Sequence, residues 1–329
     1  MIALRVVPWV HPLNEWAFPT IPARFRCARP AQTGAWRGRE SARGVAHPAA
    51  RAGRIGIMLT TLADLQPVII LVLLMVLYTL EMGVPYLPPR NDKRHHDLHN
   101  AALSALSFVT NGAMSLAVLA SAAYAERHGL GLLRLLDLPA AVSIPAGMLL
   151  YDVGSYAFHN LEHHVPWLWR LHRVHHSDPG LNATSALRFH PLEVVITQGL
   201  FPIVWIPMIG MSMASFIVYG TVALLLLIPQ HANVRFPRRF EQYGRLVFAT
   251  PGWHKIHHAS EPRLTNSHYG DVFTFWDRIF GTWTPTDPEA ITYGLPEFTA
   301  PARQSVGFLL GSPFIDIHQA SLQRNDGHH

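Results

Sequence analysis

HNLEHHVPWLWRLHRVHH, residues His159–His176, packs six histidines into eighteen residues. A second group, HKIHH at His254–His258, starts 82 residues after His172. Imidazoles at these spacings decide how the chain is read. On a helix, residues three and four apart are neighbours on one face. His159 and His163 are i,i+4, and His172, His175 and His176 are i, i+3 and i+4. His254, His257 and His258 repeat the second pattern. His164 points about 100° away from its neighbours and is set aside. Asp152 lies two turns before His159 on the same face, and Glu162 is i+3 from His159.

The sequence around these groups is that of a membrane protein. Of the 329 residues, 49% are hydrophobic and only 14% charged, against roughly 25% charged in an ordinary soluble domain. Val68–Leu80 with its flanks, 65–87, is long enough to cross the hydrocarbon, which takes about 20 residues. Ala101–Ala125 carries no charge, and Leu138–Phe158 forms a third span with one acid, Asp152. Val194–Gln230 runs 37 residues without a charge, too long for one crossing at about 1.5 Å per residue. Pro207, Gly210 and Ser212 break it, so it reads as a hairpin that returns to its starting side. That hairpin brings His231 to the face where His159 ends the third span. The expected fold is all-α and integral to the membrane. It has four to five transmembrane or membrane-embedded helices and a cytoplasmic helical cap carrying the histidines.

Arg90, Lys93 and Arg94 in the loop 88–100 fall on the histidine side, which positive-inside reasoning makes cytoplasmic. A bacterial inner membrane is the expected location. Residues 1–57 differ from the rest, with nine Arg against Glu15 and Glu40. They read as a disordered basic arm, a transit-type presequence, or the product of a start codon placed too early. Met58, just ahead of the first span, favours the last. Residues 58–285 form the expected membrane domain and 286–329 a tail, in which Gln304–Gln319 reads as an interfacial helix. No arginine–aromatic pattern points to nucleic acid. The lone Cys27 excludes a disulfide framework, a cysteine zinc site and a cysteine-held iron–sulfur cluster.

Eight histidines in three groups, with His231 a ninth, are too many for one metal and about right for two. Imidazole suits Fe, Zn, Cu and Ni, whereas magnesium and calcium want oxygen. Two close metals on a cytoplasmic membrane face, without cysteine, suggest a dinuclear iron centre that activates dioxygen. Asp152, costly inside a span, is expected to accept a histidine N–H, and Glu162 is the other outer-shell candidate. His95, His96, His99, His128, His318, His328 and His329 read as structural or surface residues.

HNLEH, LWRLHRVHHSD, RFHP, HKIHH and WDRIFGTW, in that order after hydrophobic spans, resemble the fatty acid hydroxylase / sterol desaturase superfamily over about residues 60–285. The resemblance implies metal ligation by His159, His163, His172, His175, His176, His231, His254, His257 and His258. His190 in RFHP matches a recurrent family position, and His268, inserted in NSHYGD, is a further candidate. The implied cofactor is two Fe ions, with zinc a substitute after purification. The implied reaction is lipid C–H oxidation with O2. It ends in hydroxylation or desaturation, with hydroxylation the simpler outcome. The chain has no nucleotide or haem motif. Electrons are therefore expected from an external reductase with a ferredoxin or cytochrome b5-like carrier. Two other classes are weighed against this one, a membrane zinc-dependent hydrolase and a non-catalytic metal-binding protein. The first wants H-E-x-x-H, but Glu162 adjoins the second histidine of its pair. The second wants ligands near the bilayer midplane, but these lie beyond the span ends.

Overall fold

The computed structural model describes residues 48–317 except 89, 137, 289 and 290. Residues 1–47, His318, His328 and His329 lie outside the described residues. Among those described, the fold is all-α, with isolated bridges such as Pro85 to Val234 and no strand. The principal helices are α1 (Pro48–Gly83), α2 (Lys93–Arg127), α3 (Ala140–His164) and α4 (Pro166–His176). They are followed by α5 (Pro191–Ile209), α6 (Met213–His231) and α7 (Pro251–His257).

Four helical segments are long and apolar enough to cross a membrane, Ile57–Gly83, Lys93–Leu135, Pro191–Ile209 and Met213–His231. They mark the chain as an integral membrane protein. Leu71 and Met75 on α1 are 64% and 66% exposed, as side chains facing lipid should be. Helix α3, expected as a third span, is not one of the four. Its apolar stretch is diluted by glycines, serines, Asp152 and its histidines. One face packs against the bundle, with Tyr151, Asp152, Gly154 and Tyr156 buried, while Val142, Leu149 and Leu161 stay exposed. Gly154 permits this closeness, because a Cβ there would collide with the Trp205 indole of α5. That indole donates to the Leu150 carbonyl at 3.0 Å. Val118, Ala122, Tyr151, Ile206 and Tyr219 close the core between α2, α3, α5 and α6.

The hairpin forms where the sequence places it. Gly210 ends α5 at φ 70°, the left-handed conformation glycine adopts without strain. Ser212 then caps α6, its Oγ accepting from Ser215 N at 3.1 Å. Helix α6 therefore returns His231 to the end of the bundle at which α3 presents His159. Glu81 at the end of α1 accepts from Ala183 N at 2.6 Å and Asn233 N at 2.8 Å, which fixes the 84–92 connection to the same end.

The layer beneath the histidines is polar and paired. Buried Arg188 donates to Asn100 Oδ1 at 2.7 Å and to Ser177 Oγ at 2.7 Å. Asp178 takes hydrogen bonds from Ser185 and Asn100 and lies 2.6 Å from His96 Nε2. His96 is therefore a satisfied interior histidine. The expected 304–319 helix is shorter, Val306–Gly311 followed by a 3-10 turn at Ser312–Phe314, because Gly311 and Pro313 stop it. It does not lie free at an interface. Leu309 is fully buried against Leu103, Val174 and Phe298.

Candidate metal centre

Four helices supply nine imidazoles. Helix α3 carries His159 and His163, α4 carries His172, His175 and His176, and α6 ends on His231. Helix α7 carries His254 and His257, with His258 as its C-cap. All nine are buried. They fall into two groups in which ligand atoms lie within 4.8 Å of one another. One is His159, His163, His172, His176 and His257; the other is His175, His231, His254 and His258. Each HxxHH is split between the groups. In α4 the i,i+4 pair His172 and His176 joins the first group and His175 the second. In α7 the pair His254 and His258 joins the second and His257 the first.

The inward-facing nitrogens are mostly Nε2. His172 and His176 approach at 3.0 Å through Nε2. A chain of Nε2 contacts links His175 to His231 at 3.1 Å, His231 to His254 at 3.2 Å, and His254 to His258 at 3.1 Å. The Nε2 atoms of His163 and His257 are buried without a partner among the described residues. Several outward nitrogens are anchored. Nδ1 of His175 meets Arg188 O at 3.2 Å, that of His231 meets Leu227 O at 2.8 Å, and that of His257 meets Ser267 O at 2.8 Å. A carbonyl only accepts, so Nδ1 carries the proton and Nε2 keeps its lone pair. Facing lone pairs in a dry interior repel unless a cation lies between them. Nitrogens bound to one ion at about 2.0–2.1 Å lie roughly 2.9–3.4 Å apart, depending on coordination number. The donor set therefore fits metal ions.

Electrostatics keep the imidazoles in the metal-binding form. Burial first, and then neighbouring imidazoles, hold His163, His175, His176, His254 and His258 well below the usual histidine range. The same order of causes depresses His172 and His257. His159 differs. Burial opposes its charge, but the Asp271 carboxylate raises it to about 9. Asp271 Oδ1 lies 3.3 Å from His159 Nδ1, which also meets Tyr269 O at 3.0 Å.

The outer shell departs from expectation. Asp152 accepts no histidine proton. It takes Tyr219 Oη–H at 2.7 Å, Trp276 Nε1–H at 2.8 Å and Phe273 N–H at 3.3 Å, locking α3 to α6 and to the 273–276 turn. The carboxylates that reach ligand-bearing rings are Asp271 and Glu193, the latter 2.7 Å from His172 Nδ1. Glu162 lies 4.0 Å from that same Nδ1, and burial, then the Glu193 charge, push its carboxyl up. Nothing in histidine spacing points to Asp271 or Glu193. The available signals are the acid closing NSHYGD and the one three residues after His190.

His190 and His268 join neither group. His190 caps α5, accepting Leu192 N–H at Nδ1, 3.1 Å away, while its Nε2 meets Leu310 O at 3.1 Å. His268, at φ 58°, meets Trp253 edge to face with 4.4 Å between centroids. His164 bonds the carbonyl of Asn160 and faces outward.

A cavity of about 550 Å3 opens from the histidines into the bundle. His159, His172, His175, His231 and His254 form its wall at one end, and Met213, Phe216 and Ile217 at the other. Those limits span nearly all of α6, about 27 Å at 1.5 Å per residue. The volume is that of a small-molecule or single-chain lipid site.

Buried paired imidazole groups at the end of an apolar bundle, open to an intramembrane cavity, give a membrane protein a site that could hold metal beside a lipid-sized space. Residues 144–282 carry a fatty acid hydroxylase domain, matching the model of that family, in accord with the superfamily resemblance. The chain is 29% identical over 183 residues to ornithine lipid hydroxylase OlsE of Rhizobium tropici, covering 54% of this chain and 51% of that protein. It is 29% identical to the alkylglycerol monooxygenase of Homo sapiens over 44% of this chain and 31% of the relative. It is 28% identical to human cholesterol 25-hydroxylase over 41% and 48%. The chain thus spans about half the length, or less, of these relatives. No solved structure matches significantly.

Proposed function

We propose that this chain hydroxylates a membrane lipid at an unactivated C–H bond, using O2 and two iron ions held by the nine histidines. The observation that carries the reading is the shared wall. Five of the nine imidazoles line a cavity that runs among the membrane helices. The relatives are, by name, a lipid hydroxylase, a monooxygenase and a sterol hydroxylase.

The first group, His159, His163, His172, His176 and His257, holds one ion, and His175, His231, His254 and His258 hold the other. Bound iron supplies the redox chemistry: with two electrons and two protons, O2 gives one oxygen atom to the C–H bond and releases the other as water. The residues do the rest. Backbone carbonyls and the Glu193 and Asp271 carboxylates fix ring orientation through Nδ1–H. Tyr151, Phe201 and Phe216 hold the alkyl chain and exclude water. The electrons come from an external reductase and carrier that meet the histidine face on the cytoplasmic side of a bacterial inner membrane.

The reading is tested by measuring metal content together with oxygen uptake. Two irons per chain and reductant-dependent uptake coupled to a hydroxylated lipid are expected. Stoichiometric zinc sustaining turnover without oxygen would sink it in favour of a hydrolase.

A further inference from the structure

The cavity wall below the histidines carries two carboxamides, Asn111 on α2 and Gln198 on α5. Both lie within membrane-crossing segments, where an unsatisfied polar group costs several kcal/mol. Neither side chain makes a hydrogen bond to protein among the described residues. A third cavity amide shows the contrast. Gln66 donates to Thr221 Oγ1 at 3.0 Å and to Ile217 O at 3.3 Å. The two hydroxyls beside the free amides are also satisfied within their helices, Ser115 on Asn111 O at 2.8 Å and Thr197 on Glu193 O at 3.0 Å.

The backbone is shaped for Gln198. Val195–Leu200 is a π-turn inside α5, a feature that concentrates at functional sites. Thr197 and Gln198 within that turn both line the cavity. Gly199 in that turn admits Met114 of α2, whose Sδ would lie 2.6 Å from a Cβ. The depth follows from helix rise. Ser107, which donates to Phe189 O at 3.0 Å, marks the level of His175, whose ring stacks on Phe189 at 4.6 Å. Asn111 is one turn further along α2, and Gln198 five residues beyond Glu193. Both sit roughly 6–8 Å from the histidine layer.

We propose that Asn111 and Gln198 form a binding site for a hydroxyl or secondary amide of the lipid. Each carboxamide offers two N–H donors and one carbonyl acceptor. An ester or ether only accepts and leaves both carbonyls unmet. A hydroxyl or secondary amide meets both functions. Resting on the lipid-oxidation reading above, the oxidised carbon then lies on the order of five bonds from that group, at about 1.5 Å per bond before zigzag foreshortening.

The test is displacement of radiolabelled hexadecanol from the full chain in lipid nanodiscs. The competitors share one alkyl chain: hexadecanol, N-hexadecylacetamide and hexadecyl methyl ether. The alcohol and the amide are expected to displace at about tenfold lower concentration than the ether, the factor that a lost hydrogen bond of this kind gives. In Asn111→Leu/Gln198→Leu, with thermal melting and metal content unchanged, the preference should vanish. Equal displacement by all three probes in the unmodified chain overturns the proposal, because then only water meets the amides. So does a preference that survives both substitutions. A chain that keeps the preference and oxidises nothing counts against the oxidation reading alone. A chain that oxidises lipid and shows no preference counts against this inference alone.

Discussion

His175 and His231 face each other through Nε2 at 3.1 Å while each commits Nδ1–H to a backbone carbonyl, Arg188 O and Leu227 O. With both protons placed, neither Nε2 has a hydrogen to share. Two buried lone pairs at hydrogen-bond distance have no stable neutral arrangement, and a shared cation resolves it. His175→Ala is therefore expected to remove one of two metals. Metal analysis should fall from about two ions per chain toward one, with activity down at least ~100-fold and membrane insertion intact. Retention of both ions would refute the ligand assignment.

Glu193 contacts a candidate ligand, His172, without being placed among the nine. Its Oε1 lies 2.7 Å from His172 Nδ1, placed to accept that ring's N–H. Losing such a partner typically costs 10–100-fold in metal affinity. Glu193→Ala should lower affinity by about that factor, measured by competition with a chelator. Glu193→Gln keeps a carbonyl acceptor and should lose less. Equal losses in the two variants would assign Glu193 a role other than accepting this proton.

Asp152 makes a different prediction. It meets Tyr219, Trp276 and the Phe273 amide, and no histidine. Asp152→Ala strands buried donors, each costing about 1–3 kcal/mol. The melting temperature should fall, while the metal retained by the folded fraction stays at the unmodified stoichiometry. Selective metal loss at unchanged stability would restore the ligand-orienting role.

Acid should destabilise the metal-depleted chain. His163, His172, His175, His176, His254, His257 and His258 are depressed below the ordinary histidine value by burial first. Below about pH 6.5 the unfolded chain takes up protons that the folded one refuses, so stability falls as pH falls. Each group contributes at most about 1.4 kcal/mol per pH unit. His159, raised to about 9 beside Asp271, runs the other way. Its stabilisation is complete below about pH 6.5 and lost as pH rises toward 9. Thermal melts from pH 5 to 9 after chelation check both signs, and a flat profile below pH 6.5 would contradict the first.

Much of this architecture is legible in the sequence because two strong periodicities carry it. The i,i+3 and i,i+4 spacing gathers eight of the nine histidines, and Gly210 with Ser212 marks the hairpin that brings the ninth, His231, to the others. The division into two groups is not legible. Which member of each HxxHH faces which group depends on the rotation of α4 and α7, set by packing far along the chain. Asp271 and Glu193 are hidden for the same reason: carboxylates contact rings through tertiary approach, with no fixed offset from a histidine. Asp152 illustrates the converse, since its helical register with His159 is real but Tyr219 and Trp276 take the carboxylate. His190 sits in a recognisable motif, yet capping α5 uses both its nitrogens. Helix α3 reads as a span by its apolar run and does run the depth of the bundle, from Gly147 beside Met211 and Ser215 to His159; the glycines, serines and Asp152 that lower its hydropathy are visible in the sequence too.

The most direct test of the central claim is mass spectrometry of lipid from chain-containing membranes supplied with reductant and isotope-labelled dioxygen. The account predicts a new lipid hydroxyl carrying one labelled oxygen atom, absent in His176→Ala. A product whose oxygen comes from water, or the same labelled product in that variant, would contradict it.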